Sequence, residues 1–176
     1  VTSQPVSILL DKGVVRRIYE ARVRRAQKKA PNSEQLESLE VFARLLSPSY
    51  QLFISESTAN VLQLRRPQLA RFILDKTSVL QKGRYQRRWA RRLRSFVFTR
   101  EDAVMVAYGS FGVGSVDRQL GVDYFITTDT ALVTNFHTRF SEIQARFTPM
   151  VMQLPEPYRN VSLPQILTPA TVLAHW

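Results

Sequence analysis

Four acids stand where this chain could do chemistry: Asp11, Glu56, Asp102 and Asp129. Asp11 directly follows the apolar run Val6-Ser7-Ile8-Leu9-Leu10, and Glu56 follows Tyr50-Gln51-Leu52-Phe53-Ile54-Ser55. Asp129 lies just past Tyr124-Phe125-Ile126-Thr127, and Asp102 comes three residues after Thr99, behind the short apolar segment Phe96-Val97-Phe98. Strands without polar interruption are typical of parallel sheets buried on both faces. Acids at the ends of such strands would share one edge of the sheet. Carboxylates gathered there repel one another unless a cation or protons compensate. The hard ions Mg²⁺ and Mn²⁺ favour oxygen ligands and keep part of their water. Such an ion lowers the pKa of a bound water and neutralises the leaving oxygen of a phosphodiester. Each acid also has a structural reading. Asp102 suits the third position of a helix capped by Thr99, Asp129 suits an N-cap, and Glu56 suits a first helical turn. Asp11 resists that reading, because a carboxylate beside a buried strand is costly without a purpose. Asp117 and Asp123 read as turn residues and Glu101 as a solvent-facing neighbour of Asp102.

Charge supplies the second half of the argument. The 176 residues hold 25 Lys and Arg against 14 Asp and Glu, a net charge of +11. A small domain this basic suits a polyanion, with nucleic acid the first candidate. The segment Lys82–Arg94 is its densest part. Helical spacing puts Arg84, Arg87, Arg88 and Arg91 on one face as phosphate contacts, and Tyr85, Trp89 and Leu93 on the other as core. Lys12, beside Asp11, is a further phosphate contact. A second basic stretch holds Arg16, Arg17, Arg22, Arg24, Arg25, Lys28 and Lys29. The chain has no cysteine, which excludes disulfides and thiol chemistry. His137 and His175 are isolated, so a histidine zinc site or a catalytic triad has little support. Gly109, Gly112 and Gly114 follow a helix, whereas a phosphate-binding loop precedes one. No apolar run approaches the roughly 20 residues of a membrane helix. Val1-Thr2-Ser3-Gln4-Pro5 lacks the pattern of a signal peptide. The expectation is a cytoplasmic protein without membrane contact.

The elements that must position these residues alternate between strand and helix. Strands are expected at 6–10, 50–55, 124–127 and 161–167, the last at an edge because of Pro164; Phe96–Phe98 is a further short apolar segment. Helices are expected from about Gly13 to Ala30, from the Asn32/Gln35 capping box onward, from Glu56 to about Leu64, and from Pro67 through Leu80. Others cover the basic segment, the stretch after Thr99, and the spacing of Phe136, Phe140, Ile143 and Phe147. Thr148 to Arg159, with Pro149, Pro155 and Pro157, reads as a surface connection, and Thr168-Pro169 opens a terminal helix. This order predicts an α/β fold, a central parallel sheet between helical layers, in a single domain spanning 1–176.

The order of these motifs resembles PIN-domain proteins. The likeness rests on Leu9-Leu10-Asp11, Phe53-Ile54-Ser55 with Thr58-Ala59-Asn60-Val61-Leu62, Thr99-Arg100-Glu101-Asp102-Ala103, Phe125-Ile126-Thr127-Thr128-Asp129, and Ile166-Leu167-Thr168-Pro169. It implies a three-layer α/β/α sandwich with a mainly parallel sheet. It also implies a Mg²⁺- or Mn²⁺-dependent ribonuclease, often the toxin of a toxin–antitoxin pair, with RNA, an antitoxin protein and a second copy of the chain as partners. By position, Asp11, Asp102 and Asp129 match the family's metal-holding acids. The chain departs from the pattern twice. Asn60 stands where a glutamate is usual, with Glu56 one turn earlier as the substitute. Asp11-Lys12-Gly13 replaces the usual Asp-Ser/Thr-Asn. The alternative implied by these departures is a weakened or inactive module that binds RNA or a protein partner.

Overall fold

The computed structural model describes residues 4–65, 67–114 and 119–176. Six strands form one sheet: β1 (Val6–Leu10), β2 (Tyr50–Ser55), β3 (Ser78–Gln81), β4 (Val113–Gly114), β5 (Tyr124–Ile126) and β6 (Gln165–Leu167). Their order is β4-β3-β2-β1-β5-β6, and every pairing is parallel except β3 with β4. Nine helices occur among the described residues: α1 (Lys12–Ala26), α2 (Ser33–Arg44), α3 (Glu56–Gln63), α4 (Pro67–Leu74), α5 (Gln86–Leu93), α6 (Arg100–Phe111), α7 (Thr130–Thr138), α8 (Phe140–Met152) and α9 (Pro169–His175). None is long and apolar enough to cross a membrane.

The strands divide their side chains between two cores, as the period of two dictates. Leu9, Phe53, Leu80, Phe125 and Ile166 join the cluster filled by α5, α6, α7 and α8. Ile8, Leu10, Leu52, Ile54 and Ile126 join the cluster filled by α1, α2, α3, α4 and α9. The fold is therefore an α/β/α sandwich, and β1 is dry on both sides. The order in which strands are added reverses between β1 and β5, which pair in parallel with their helices on opposite faces. That junction is the topological switch point, where open sheets of this kind leave a crevice at the carboxyl ends.

Several expected boundaries shift. The helix opened by Pro67 ends at Leu74, with Thr77 Oγ1 donating to Ile73 O at 2.9 Å, and Ser78–Gln81 is a strand. Phe96–Phe98 is not a strand: Arg94–Phe96 is a 3-10 turn, and Val97 has φ 66°. Phe98 is buried and Phe96 packs partly against the same core, while Val97 is 75% exposed. The phenylalanine stripe belongs to two helices, α7 and α8, and α8 runs through Pro149 to Met152. Burial of Ile143, Phe147, Met150 and Val151 outweighs the lost backbone bond at the proline. The last strand spans only Gln165–Leu167 of the expected 161–167, the first helix ends at Ala26 and not Ala30, and the short antiparallel strand Val113–Gly114 falls outside the expected set. The Asn32–Gln35 capping box closes in both directions, Thr168 caps α9, and β6 lies at the sheet edge. Asp117 lies outside the described residues.

Candidate metal and nucleic-acid site

A cavity of about 630 Å³ opens at the switch point, and Asp11, Asp102 and Asp129 all line it. Each arrives by a different route. Asp11 is the residue between β1 and α1; its N–H donates to Ile126 O at 2.9 Å, tying the end of β1 to β5. Asp102 comes from the first turn of α6, where Thr99 Oγ1 accepts from its N–H at 3.1 Å. A helix cap, not a strand end, delivers it. Asp129 opens α7 and accepts from Leu132 N through Oδ1 at 2.9 Å. Its capping role and its place in the cavity are compatible, because a carboxylate has lone pairs left over.

Thr127 couples two of these acids. Its hydroxyl donates to Asp11 Oδ2 at 3.0 Å and accepts from the Asp129 N–H at 3.1 Å. Thr127 is wholly buried, so the link is fixed by the core. Gly13 makes the crevice close. A Cβ there would sit 2.5 Å from Thr128 Oγ1 and 3.3 Å from Asp11 Oδ2. A side chain at position 13 would have to displace the Thr128 hydroxyl.

Burial pushes the Asp11 carboxyl above its ordinary range. The Thr127 hydroxyl, the Lys12 and Gly13 amides and the Lys12 charge pull the other way without offsetting it. A carboxylate held at a cost is one that a cation would relieve. Among the described residues no three acids already stand close enough to enclose an ion directly. The donor set is nevertheless all oxygen. Mg²⁺ characteristically keeps several waters and touches one or two carboxylates, which suits a roomy pocket better than a tight cage does.

The remaining expected residues separate. Lys12 lines the cavity, and its Nζ meets Glu101 Oε1 at 2.6 Å across the mouth. Glu101 therefore faces the pocket as well as solvent. Glu56 does not line it; burial, then the nearby Glu56 charge, raises the Tyr108 phenol. Asn60 is also outside. The α3 residues that do line the cavity are Thr58, Val61 and Leu62, with Arg65 just beyond. No acid comes from α3, and a cation stands on that wall.

The basic helix does not present its arginines as one face. Arg87 and Arg91 line a second cavity of about 510 Å³ with Lys82, Arg94 and Arg100. Arg84 lies 5.5 Å from the centre of the Tyr85 ring. Burial and the charges of Arg88 and Arg146 push Arg92 below its ordinary pKa. Trp89 and Leu93 are buried, as the spacing predicts. Arg94 and Arg100 escaped the sequence reading because they sit beyond the helix end. Thr127 escaped it as part of a strand former run, although a hydroxyl two residues before Asp129 was the available signal. Compared with known protein families, curated proteins and solved structures, the chain finds no match in any of the three.

Proposed function

We propose that this chain is a metal-dependent endoribonuclease of the PIN type, acting in the cytoplasm. The single observation that supports it best is the meeting of Asp11, Asp102 and Asp129, distant in sequence, in one cavity at the switch point. Asp11 and Asp129, joined through Thr127, are the residues that would hold Mg²⁺ or Mn²⁺, with Asp102 completing the oxygen set from α6. When bound, the ion would supply a water of lowered pKa and a neutralising charge for the leaving oxygen. The chain's own cations do the rest. Lys12, Arg16 and Arg65 line the same cavity and can grip phosphate oxygens on either side of the reacting bond. Lys12 must first leave Glu101, and Arg16 must leave Glu20 on the same cavity wall, each an exchange of one exposed ion pair for another that costs about 1 kcal/mol or less.

The experiment is cleavage of a single-stranded RNA by the purified chain. Cleavage in Mn²⁺ that stops in EDTA is expected. Undiminished cleavage in EDTA would sink the proposal. A second reading is favoured by one observation, the absence of an acid from the α3 wall of the cavity. On that reading the chain binds RNA, or an acidic antitoxin-like protein, without cutting. Salt-sensitive RNA binding with no cleavage in either metal would select it.

A further inference from the structure

The cavity beside α5 is bounded by two walls. Arg87, Arg91 and Arg94 stand on one, following α5 and its continuation, and Arg100 with Val104 stands on the other, at the start of α6. Lys82 closes one end, on the loop after β3. None of these five cations makes an ion pair or a side-chain hydrogen bond among the described residues. Nor does the segment from Lys82 to Arg100 contain any acid. Like charges held together without internal compensation work against the fold, so their partner is outside it.

The groove is built on rigid parts. A Cβ on Gly83 would fall 1.6 Å from Phe111 O, so that loop is pressed against the end of α6. Gln86 Nε2 donates to Val104 O at 3.4 Å, crossing from α5 to α6. Beneath the cations, Trp89 and Leu93 are wholly buried. The positions 87, 91 and 94 form a row about 10 Å long at helical rise. A row of charge suits a polymer of phosphates better than a single ion.

The groove also abuts the acid pocket. Arg100 and Val104 of α6 face the groove, while Glu101, Asp102 and Met105 of the same turns face the pocket. One strand of nucleic acid can lie in both. The acids sit in a recess, which a single strand enters more readily than a duplex.

We propose that the groove of Lys82, Arg87, Arg91, Arg94 and Arg100 holds the phosphate backbone of single-stranded RNA to one flank of the bond presented to the acid pocket. Binding in the groove stands on its own observations; only its alignment with a reacting bond rests on the nuclease reading. The groove sets affinity and the length of RNA required, and the acid pocket sets the chemistry.

The test uses the full chain and a fluorescent 20-nucleotide RNA, with affinity measured in EDTA across a salt series. Arg87→Gln, Arg91→Gln and Arg94→Gln are combined, with circular dichroism to verify folding. The expected result is at least about tenfold weaker binding and a salt slope smaller by about 2, the release expected for three phosphate contacts on a single strand. If the triple variant does not fold, Arg91→Gln alone should lower the slope by about 0.7. An unchanged slope in a folded variant overturns the proposal, as does tighter binding of polyglutamate than of RNA. In Mn²⁺ the triple variant should raise KM for the long RNA by more than for a dinucleotide, which is too short to reach the groove. RNA binding that responds to these arginines without any cleavage would remove the nuclease reading and keep the groove. Cleavage of long RNA indifferent to them would do the reverse.

Discussion

Two helices of this protein carry most of its dense positive charge, and they use it differently. On α1, Arg17 pairs with Glu20 at 3.5 Å and with Glu34 at 2.7 Å, and Arg16 reaches Glu20 at 3.7 Å. Arg22 lies 3.9 Å over the Phe72 ring, and Arg24 donates to Ala30 O at 2.8 Å. Lys12, its first residue, is held by Glu101. Arg17, Arg22 and Lys12 thus tie α1 to α2, α4 and α6, Arg16 and Arg24 are held locally, and only Lys12 and Arg16 also border the acid pocket. On α5, no arginine has an acidic partner among the described residues, and the charge of Arg88 works against that of Arg92. The difference follows from the neighbours: α1 packs beside helices that carry glutamates, while 82–100 has no acid at all. Count of charge does not distinguish a scaffold from a ligand surface. Commitment of charge does.

The comparison can be broken at several points. The largest effect belongs to neither helix. Asp11→Asn should lower cleavage by at least about 10²-fold, the scale of losing one preorganised charge at a reacting centre, while RNA affinity in EDTA stays within about twofold. A matching loss of affinity would mean that pocket and groove are not separate. Next comes Thr127→Val, which frees Asp11 and Asp129 from their shared hydroxyl. About 10- to 100-fold weaker Mn²⁺ binding is expected, measured by titration calorimetry, as for other residues that orient metal ligands.

On α1 the expected losses are of stability. Arg22→Ala should cost about 1–2 kcal/mol in urea denaturation through its ring contact and stem packing, with RNA affinity unchanged. Weakened RNA binding without loss of stability would erase the contrast between the helices. Arg92→Gln on α5 should do the opposite on a smaller scale, adding a few tenths of a kcal/mol by relieving repulsion, within the usual range for surface changes.

Asp11 also makes a pH-dependent prediction. Its pKa is higher in the fold than the unfolded value of 3.8. The folded state therefore binds the proton more tightly, and the carboxylate lowers stability as pH rises from the unfolded to the folded value. Asp11→Asn should raise the denaturation midpoint at pH 7 and lose that advantage below the unfolded pKa. An equal gain at both pH values would mean that charge burial is not the cause.

The sheet was legible because its strands are read by composition alone. β1, β2 and β5 are mostly apolar runs, and of the acids after them Asp11 and Asp129 share one edge while Glu56 does not. What stayed hidden depended on tertiary context. Val79 and Leu80 continue a helical spacing from α4, so a four-residue strand was indistinguishable from a helix tail. Phe96-Val97-Phe98 looks like a strand until one knows that Val97 takes a left-handed turn. Pro149 reads as a stop, yet the buried face of α8 carries it through. At the site, the aspartates were visible and the link between two of them was not, since Thr127 resembles any other strand former. Glu56 followed a strand as the others did. One helical turn aims it at Tyr108 instead.

The placement of Asp11 has a consequence for how this chain can vary. Leu9 is locked into one core, while Ile8 and Leu10 are locked into the other. Slipping the strand by a single residue would exchange their sides and carry the carboxylate away from Thr127. The spacing from Ile8 to Asp11 is therefore as fixed as the side chains that meet at the crevice. Inserting one residue there should cost the protein its fold, whereas the same insertion in the exposed 28–30 connection should cost far less.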